Sequence, residues 1–150
     1  MAVKPIPDGY HSVTPYVMVD DAKSVLEFAK QVFGAEELVN MPTPEGKIGH
    51  AEIRIGDSII MMADASTSDQ GVSMPTLLHL YVEDVDKIYT AALEAGATSL
   101  RDPADQFYGD RSAGVKDSAG NHWWLATHIE DVPPDEMAKR LQEWQAQQQQ

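Results

Sequence analysis

The strongest constraint on this chain is an internal repeat. Residues 17–21 read VMVDD and residues 80–84 read LYVED, in each case an apolar strand end followed by two acids, about 63 residues apart. A helix-like stretch follows each, AKSVLEFAKQVF in the first half and VDKIYTAALEA in the second. Both stretches stop at Gly-Ala, at Gly34-Ala35 and Gly96-Ala97, with Leu38 and Leu100 in matching places beyond. The paired acids favour a helix start by capping or by charge, and the glycine suits a left-handed helix end. Further on, IRIGDSIIMMAD (53–64) and VKDSAGNHWWLATH (115–128) each read as a strand, a Gly-containing turn and a strongly apolar or aromatic strand. The predicted fold class is therefore α+β, built from two tandem βαβββ modules.

The boundaries follow from composition. Module one covers about 12–64 and module two about 76–131, with the Ser/Gly/Pro-rich stretch ASTSDQGVSMP (65–75) as linker. VPPDEMAKRLQEWQ predicts a terminal helix opened by prolines, in which Trp144 is available to dock on something, and QAQQQQ reads as a polar low-complexity tail, so 132–150 is helix plus tail. At 150 residues the length fits one domain with a core of its own.

Strand parity then separates two faces. Val13, Val17 and Val19 share one side of the first strand, Ala51, Ile53 and Ile55 one side of another, and Leu78, Leu80 and Val82 one side of a third. Helices covering those sets leave Thr14, Tyr16, Met18, His50, Glu52, Arg54, His79 and Tyr81 on the opposite face. That mixture of aromatic and polar side chains has the composition of a ligand cavity, although an antiparallel sheet with one wet face accounts for any one of them singly.

Composition excludes several classes. There is no cysteine, hence no disulfide framework, thiol nucleophile or thiolate metal site. A net charge of −13 argues against a nucleic-acid partner, and the excess acid is read as solubility rather than as a sign of a cationic ligand. No apolar run is long enough to span a membrane, and MAVKPIPDGYHSV lacks the apolar core of a secretory signal, so a cytoplasmic location is expected. No GxSxG or phosphate-loop pattern is present.

The segments TPYVMVDDAKSVLEFAKQVFGAEEL, GKIGHAEIRIGDSIIMMAD, LHLYVEDVDKIYTAALEAGA and DQFYGDRSAGVKDSAGNHWWLATHIEDV, in that order and spacing, resemble the vicinal oxygen chelate superfamily. Within it the chain is most similar to the glyoxalase/bleomycin-resistance-like, PhnB-like group, over about residues 12–131. The resemblance implies mixed sheets curling around a cavity, and a homodimer. In metal-dependent members one residue from the first strand and one from the last strand of each module bind a divalent ion. Carried over, those places fall on Thr14, within Ile60 to Met62, on Leu77 and on Trp124, none a normal ligand, so no metal and no cofactor are expected. His50, Glu52 and His79 form a conceivable two-His-one-carboxylate set, without the close spacing that would support it.

The expected function is binding of a small, flat organic molecule in a metal-free cavity, with sequestration as one form. Ligand-binding candidates are Tyr16, Arg54, His79, Tyr81, Arg111 and Trp124. Trp124 is expected to stand in the cavity as an aromatic slab, with Trp123 turned into the core. Gly109 is read as a tight turn. Asp110 and Arg111 are expected either to pair with each other or to leave Arg111 for an anionic or carbonyl-bearing ligand. The alternative is a glyoxalase-like lyase, isomerase or dioxygenase, with His79, His50 and Glu52 as the candidate catalytic residues. A purely structural or regulatory partner protein is a third reading.

Overall fold

The strand, helix and three-strand order of the repeat is realised twice in a computed structural model that describes residues 2–69 and 71–150. Module one comprises β1 (Tyr16–Val19), α1 (Ala22–Phe33), β2 (Glu36–Pro42), β3 (Ile48–Ile55) and β4 (Ser58–Asp64). Module two comprises β5 (Leu77–Tyr81), α2 (Val85–Glu94), β6 (Thr98–Asp105), β7 (Asp110–Lys116) and β8 (His122–His128), and α3 (Pro134–Gln148) follows. The sheets have the corresponding orders β1-β4-β3-β2 and β5-β8-β7-β6. In each, the first strand runs parallel to the last and the remaining pairings are antiparallel. The chain divides into two compact units, one running to Thr76 and including the turn 117–121, the other formed by 77–116 and 122–150.

In module one, α1 buries Ala22, Val25, Leu26, Ala29 and Val32, a spacing of three and four that makes one apolar stripe. The stripe packs against Val17, Val19, Ala51, Ile53 and Met62, all wholly buried. Each of the valine, isoleucine and methionine side chains contributes roughly 1.5–3 kcal/mol by leaving water. Asp21 caps the helix by accepting from the Ser24 amide at 3.2 Å. Buried Asp64, at the end of β4, accepts from the Ala22 amide at 3.2 Å and the Ile48 amide at 2.6 Å, tying the helix start to β3. Gly34 closes the helix in the left-handed conformation, φ 64°.

Module two repeats the scheme with Ala113, Val115, Trp123 and Leu125 wholly buried on the side that carries α2. Thr127 accepts from the Val85 amide and donates to the Val82 carbonyl, both at 2.9 Å, fixing the β5–α2 corner.

Three expectations change. Val13 lies ahead of β1 and is 82% exposed, so it does not extend the buried set of Val17 and Val19. The glutamine stretch is helical to Gln148, in keeping with glutamine's good helix propensity. And α3, which buries no side chain, is held at its own module: Arg140 grips Glu130 through Nη1 at 2.8 Å and Nη2 at 2.7 Å and donates to the Phe107 carbonyl, while Trp144 packs on the Phe107 ring. Among the described residues no helix is long and apolar enough to cross a membrane.

Candidate functional site

Each sheet has one face covered by its helix and one face that is not, and strand register makes the uncovered faces comparable row by row. In module one Tyr16 lies opposite Met61, Met61 opposite Glu52 and Glu52 opposite Val39. In module two the same row is His79, Trp124, Gly114 and Arg101. Met61 is thereby the counterpart of Trp124.

On module one the N-terminal arm, which has no helix or strand of its own among the described residues before β1, lies against this row. A cavity of about 440 Å3 opens there, lined by Pro5, Ile6, Pro7, Tyr10, His11, Ser12 and Thr14 from the arm and by Glu52 and Met61 from the sheet. Glu52 is buried and carries a continuous set of hydrogen bonds. The Tyr10 hydroxyl donates to its Oε1, His50 Nε2 lies 2.8 Å from its Oε2, and the Tyr16 hydroxyl lies 2.9 Å from His50 Nδ1. The Tyr10 hydrogen bond, helped by His50, holds the Glu52 carboxyl below its usual range against the opposing effect of burial. The same bond raises Tyr10, whereas Tyr16 is raised by burial first and by the Glu52 charge second. Arg54 points along this face but is paired with Glu36 at 3.0 Å.

Module two brings His79, Tyr81 and Trp124 onto one face, with the His79 and Tyr81 rings edge to face at 5.2 Å. The Trp124 ring lies flat across Gly114, where a Cβ would stand 2.6 Å from it, and the Arg101 guanidinium sits 4.8 Å from the ring centroid. Arg101 also donates to Ser112 Oγ. The Tyr81 hydroxyl donates to Asp110 Oδ2 at 2.8 Å, and His128 bridges Asp110 and Asp131, at 2.7 Å to each. Hydrogen bonding to Asp110 raises both Tyr81 and His128, the latter aided by Asp131.

Arg111 is elsewhere. It pairs with Thr127 across the strands and so faces α2, where it grips Asp86 at 2.7 and 2.9 Å and Asp105 at 3.0 Å. The expected Asp110–Arg111 pair does not form, because neighbours on a strand point to opposite faces. Gly109 does make the expected tight turn, at φ 100°, closed by its amide on the Gln106 carbonyl. The sequence reading missed Tyr10 and Arg101. Tyr10 sits in an aperiodic, proline-containing segment, and Arg101 lies between two register irregularities in β6.

The places that the resemblance assigns to metal hold a hydroxyl (Thr14), aliphatic or thioether side chains (Ile60, Met61 and Met62), an exposed aliphatic side chain (Leu77) and an indole (Trp124). Among the described residues no group of three or more imidazole and carboxylate side chains is placed to hold a metal ion. These residues do not fit a divalent cation, which needs carboxylate or imidazole donors at such positions.

A family model described as Glyoxalase/Bleomycin resistance protein/Dioxygenase superfamily matches residues 9–125. The chain belongs to this superfamily. This glyoxalase/bleomycin-resistance member is 38% identical over 135 residues to the uncharacterized protein Mb0911c of Mycobacterium bovis, covering 84% of this chain and 89% of that one. Among solved structures it is similar to TioX from Micromonospora sp. ML1, with TM-score 0.64, 25% identity, and 79% of this chain and 100% of that chain covered. A PhnB protein from Bacillus cereus, a putative 3-demethylubiquinone-9 3-methyltransferase, shares the fold at TM-score 0.63 and 18% identity, over 78% of this chain and 99% of its own.

Proposed function

We propose that this superfamily member binds a small, flat organic molecule without a metal ion. The observation that carries the reading is the module-one cavity, in which prolines, Ile6, Tyr10 and Met61 surround one buried carboxylate. Mostly apolar walls with a few fixed polar groups are the usual make-up of a small-molecule site. Met61 supports the reading further, since it presents a soft apolar side chain at the register position where Trp124 stands in module two. His79, Tyr81 and Trp124 are assigned as ligand contacts on the uncovered face of module two. Arg54 and Arg111 are assigned none, because carboxylates already hold their guanidinium groups. Tyr16 acts through His50. Sequestration of a harmful compound is one form of this function; a homodimer, tested by sedimentation equilibrium, and a cytoplasmic location, tested by cell fractionation, are part of the proposal.

A second reading, proton transfer by a glyoxalase-like enzyme, is favoured by the His50–Glu52 contact at 2.8 Å. Two features weaken it. A carboxyl held below its usual range is a poor general base. Both ring nitrogens of His50 are already engaged, by Tyr16 and Glu52.

The first test is the metal content of protein purified without chelator or affinity nickel. Metal well below one equivalent, with no activity stimulated by divalent ions, is expected. About one equivalent, lost in His50→Ala or His79→Ala, overturns the metal-free reading. In equilibrium dialysis with a panel of planar aromatic compounds, Met61→Ala weakens binding about tenfold or more, as expected for about 1.5–3 kcal/mol of buried methionine contact. A panel with no binder removes the cavity reading.

A further inference from the structure

We propose that the module-one cavity selects molecules carrying a protonated amine on an apolar or aromatic body, with Glu52 as the counter-charge; this rests on the binding reading above. The cavity lining contains no lysine or arginine, its imidazole is His11, and its acid is Glu52. Arg54, the cation two residues along the same strand face, is engaged by Glu36. A carboxylate accepts about four hydrogen bonds. Tyr10 takes one on Oε1 and His50 one on Oε2, so each oxygen keeps a lone pair for a further donor.

The walls reinforce this choice. Pro5 and Pro7 have no backbone N–H, so within residues 5–7 only Ile6 has an amide donor to offer an anion. Their rings, with Ile6 and Met61, suit an apolar body, and such surroundings strengthen the attraction between an ammonium group and the carboxylate. A carboxylate ligand placed there meets the charge of Glu52. A neutral alcohol finds an acceptor but no opposite charge, and a hydrogen bond between charged partners is roughly twice as strong as one between neutral groups.

Three probes sharing one aromatic body test the proposal: 1-naphthylmethylamine, 1-naphthalenemethanol and 1-naphthoate. Equilibrium dialysis at pH 7 is run in about 0.3 M salt, where charges distant from the cavity are largely screened. The amine is expected to bind about tenfold or more tighter than the alcohol, with naphthoate weakest. Glu52→Gln is expected to bring the amine to the level of the alcohol. Equal binding of amine and alcohol by the native protein, which requires no variant, overturns the inference while leaving the cavity reading in place. An amine preference that survives in Glu52→Gln also overturns it, assigning the preference to the general acidity of the chain. If none of the three binds, both readings fall.

Discussion

Gly114→Ala tests whether the Trp124 ring is seated as described. The new Cβ would lie 2.6, 2.8 and 2.8 Å from three atoms of that ring. Carbon atoms pack comfortably at about 3.5–4.0 Å, so the ring must retreat by roughly 1 Å or rotate off the sheet, leaving its place below Arg101. Overpacking of this kind costs about 1–3 kcal/mol. Opposing it, φ at residue 114 is not positive, so alanine is compatible with the backbone and regains about 0.4–1 kcal/mol by restricting the unfolded chain. The net expectation is destabilisation by about 1–2 kcal/mol, or a fall in Tm of roughly 2–8 °C for a chain of this size. Thermal unfolding followed by circular dichroism measures it. The same substitution in a Trp124→Ala background has no ring to displace and should be neutral or slightly stabilising, so the two changes couple strongly. If Gly114→Ala is neutral in the native background, the flat seating of Trp124 is wrong.

Tyr10→Phe removes the hydrogen bond from the arm to Glu52, and limited proteolysis is expected to cut the arm faster while the folded remainder resists. Because the folded Glu52 carboxyl lies below its unfolded value, its stabilisation is present above the unfolded value and lost as pH falls through the folded one. Acid titration of Tyr10→Phe by carboxyl NMR should show Glu52 closer to an ordinary carboxylate; an unmoved Glu52 would show that Tyr10 does not control it. His128 has the opposite sign. Its folded value is raised, so its contribution is complete below the unfolded value near 6.5 and is lost as pH rises through the folded one. Denaturant midpoints between pH 6 and 9 should therefore fall less in His128→Gln than in the native protein, and equal slopes would remove the Asp110–His128–Asp131 link. Arg111→Gln is expected to return Asp86 to the ordinary carboxylate range, measured by NMR, without altering retention of aromatic probes.

The repeat was readable because its signals are local. Capping acids, apolar spacing of three and four, and alternation along strands all act within a few residues, and they placed Val17, Val19, Ala51 and Ile53 together on the buried side. The adjacent tryptophans separated as alternation requires, with Trp123 wholly buried and Trp124 on the other face. The site was less legible because its parts meet across long stretches of chain. Tyr10 reaches Glu52 from an arm with no periodicity, and nothing near Arg101 announces that it will stand over Trp124. Gly114 is similar: its residue type reads locally as a weak point in a strand, whereas its use depends on the ring of a neighbouring strand. Arg111 reads locally as a partner for Asp110 or for a ligand, while the α2 carboxylate that engages it lies in another element.

The arm that walls the cavity also sets an order of events in making the protein. It leaves the ribosome before the rest of its module, yet its seat is the β3–β4 pair, and Tyr10 meets its partner only 42 residues later in the chain. Helix α1 and the β3–β4 hairpin close over shorter distances and gain their contacts sooner. The arm, like β1, whose Tyr16 pairs with Met61 of β4, thus waits for the hairpin that seats it, and capacity to hold a molecule trails formation of that hairpin.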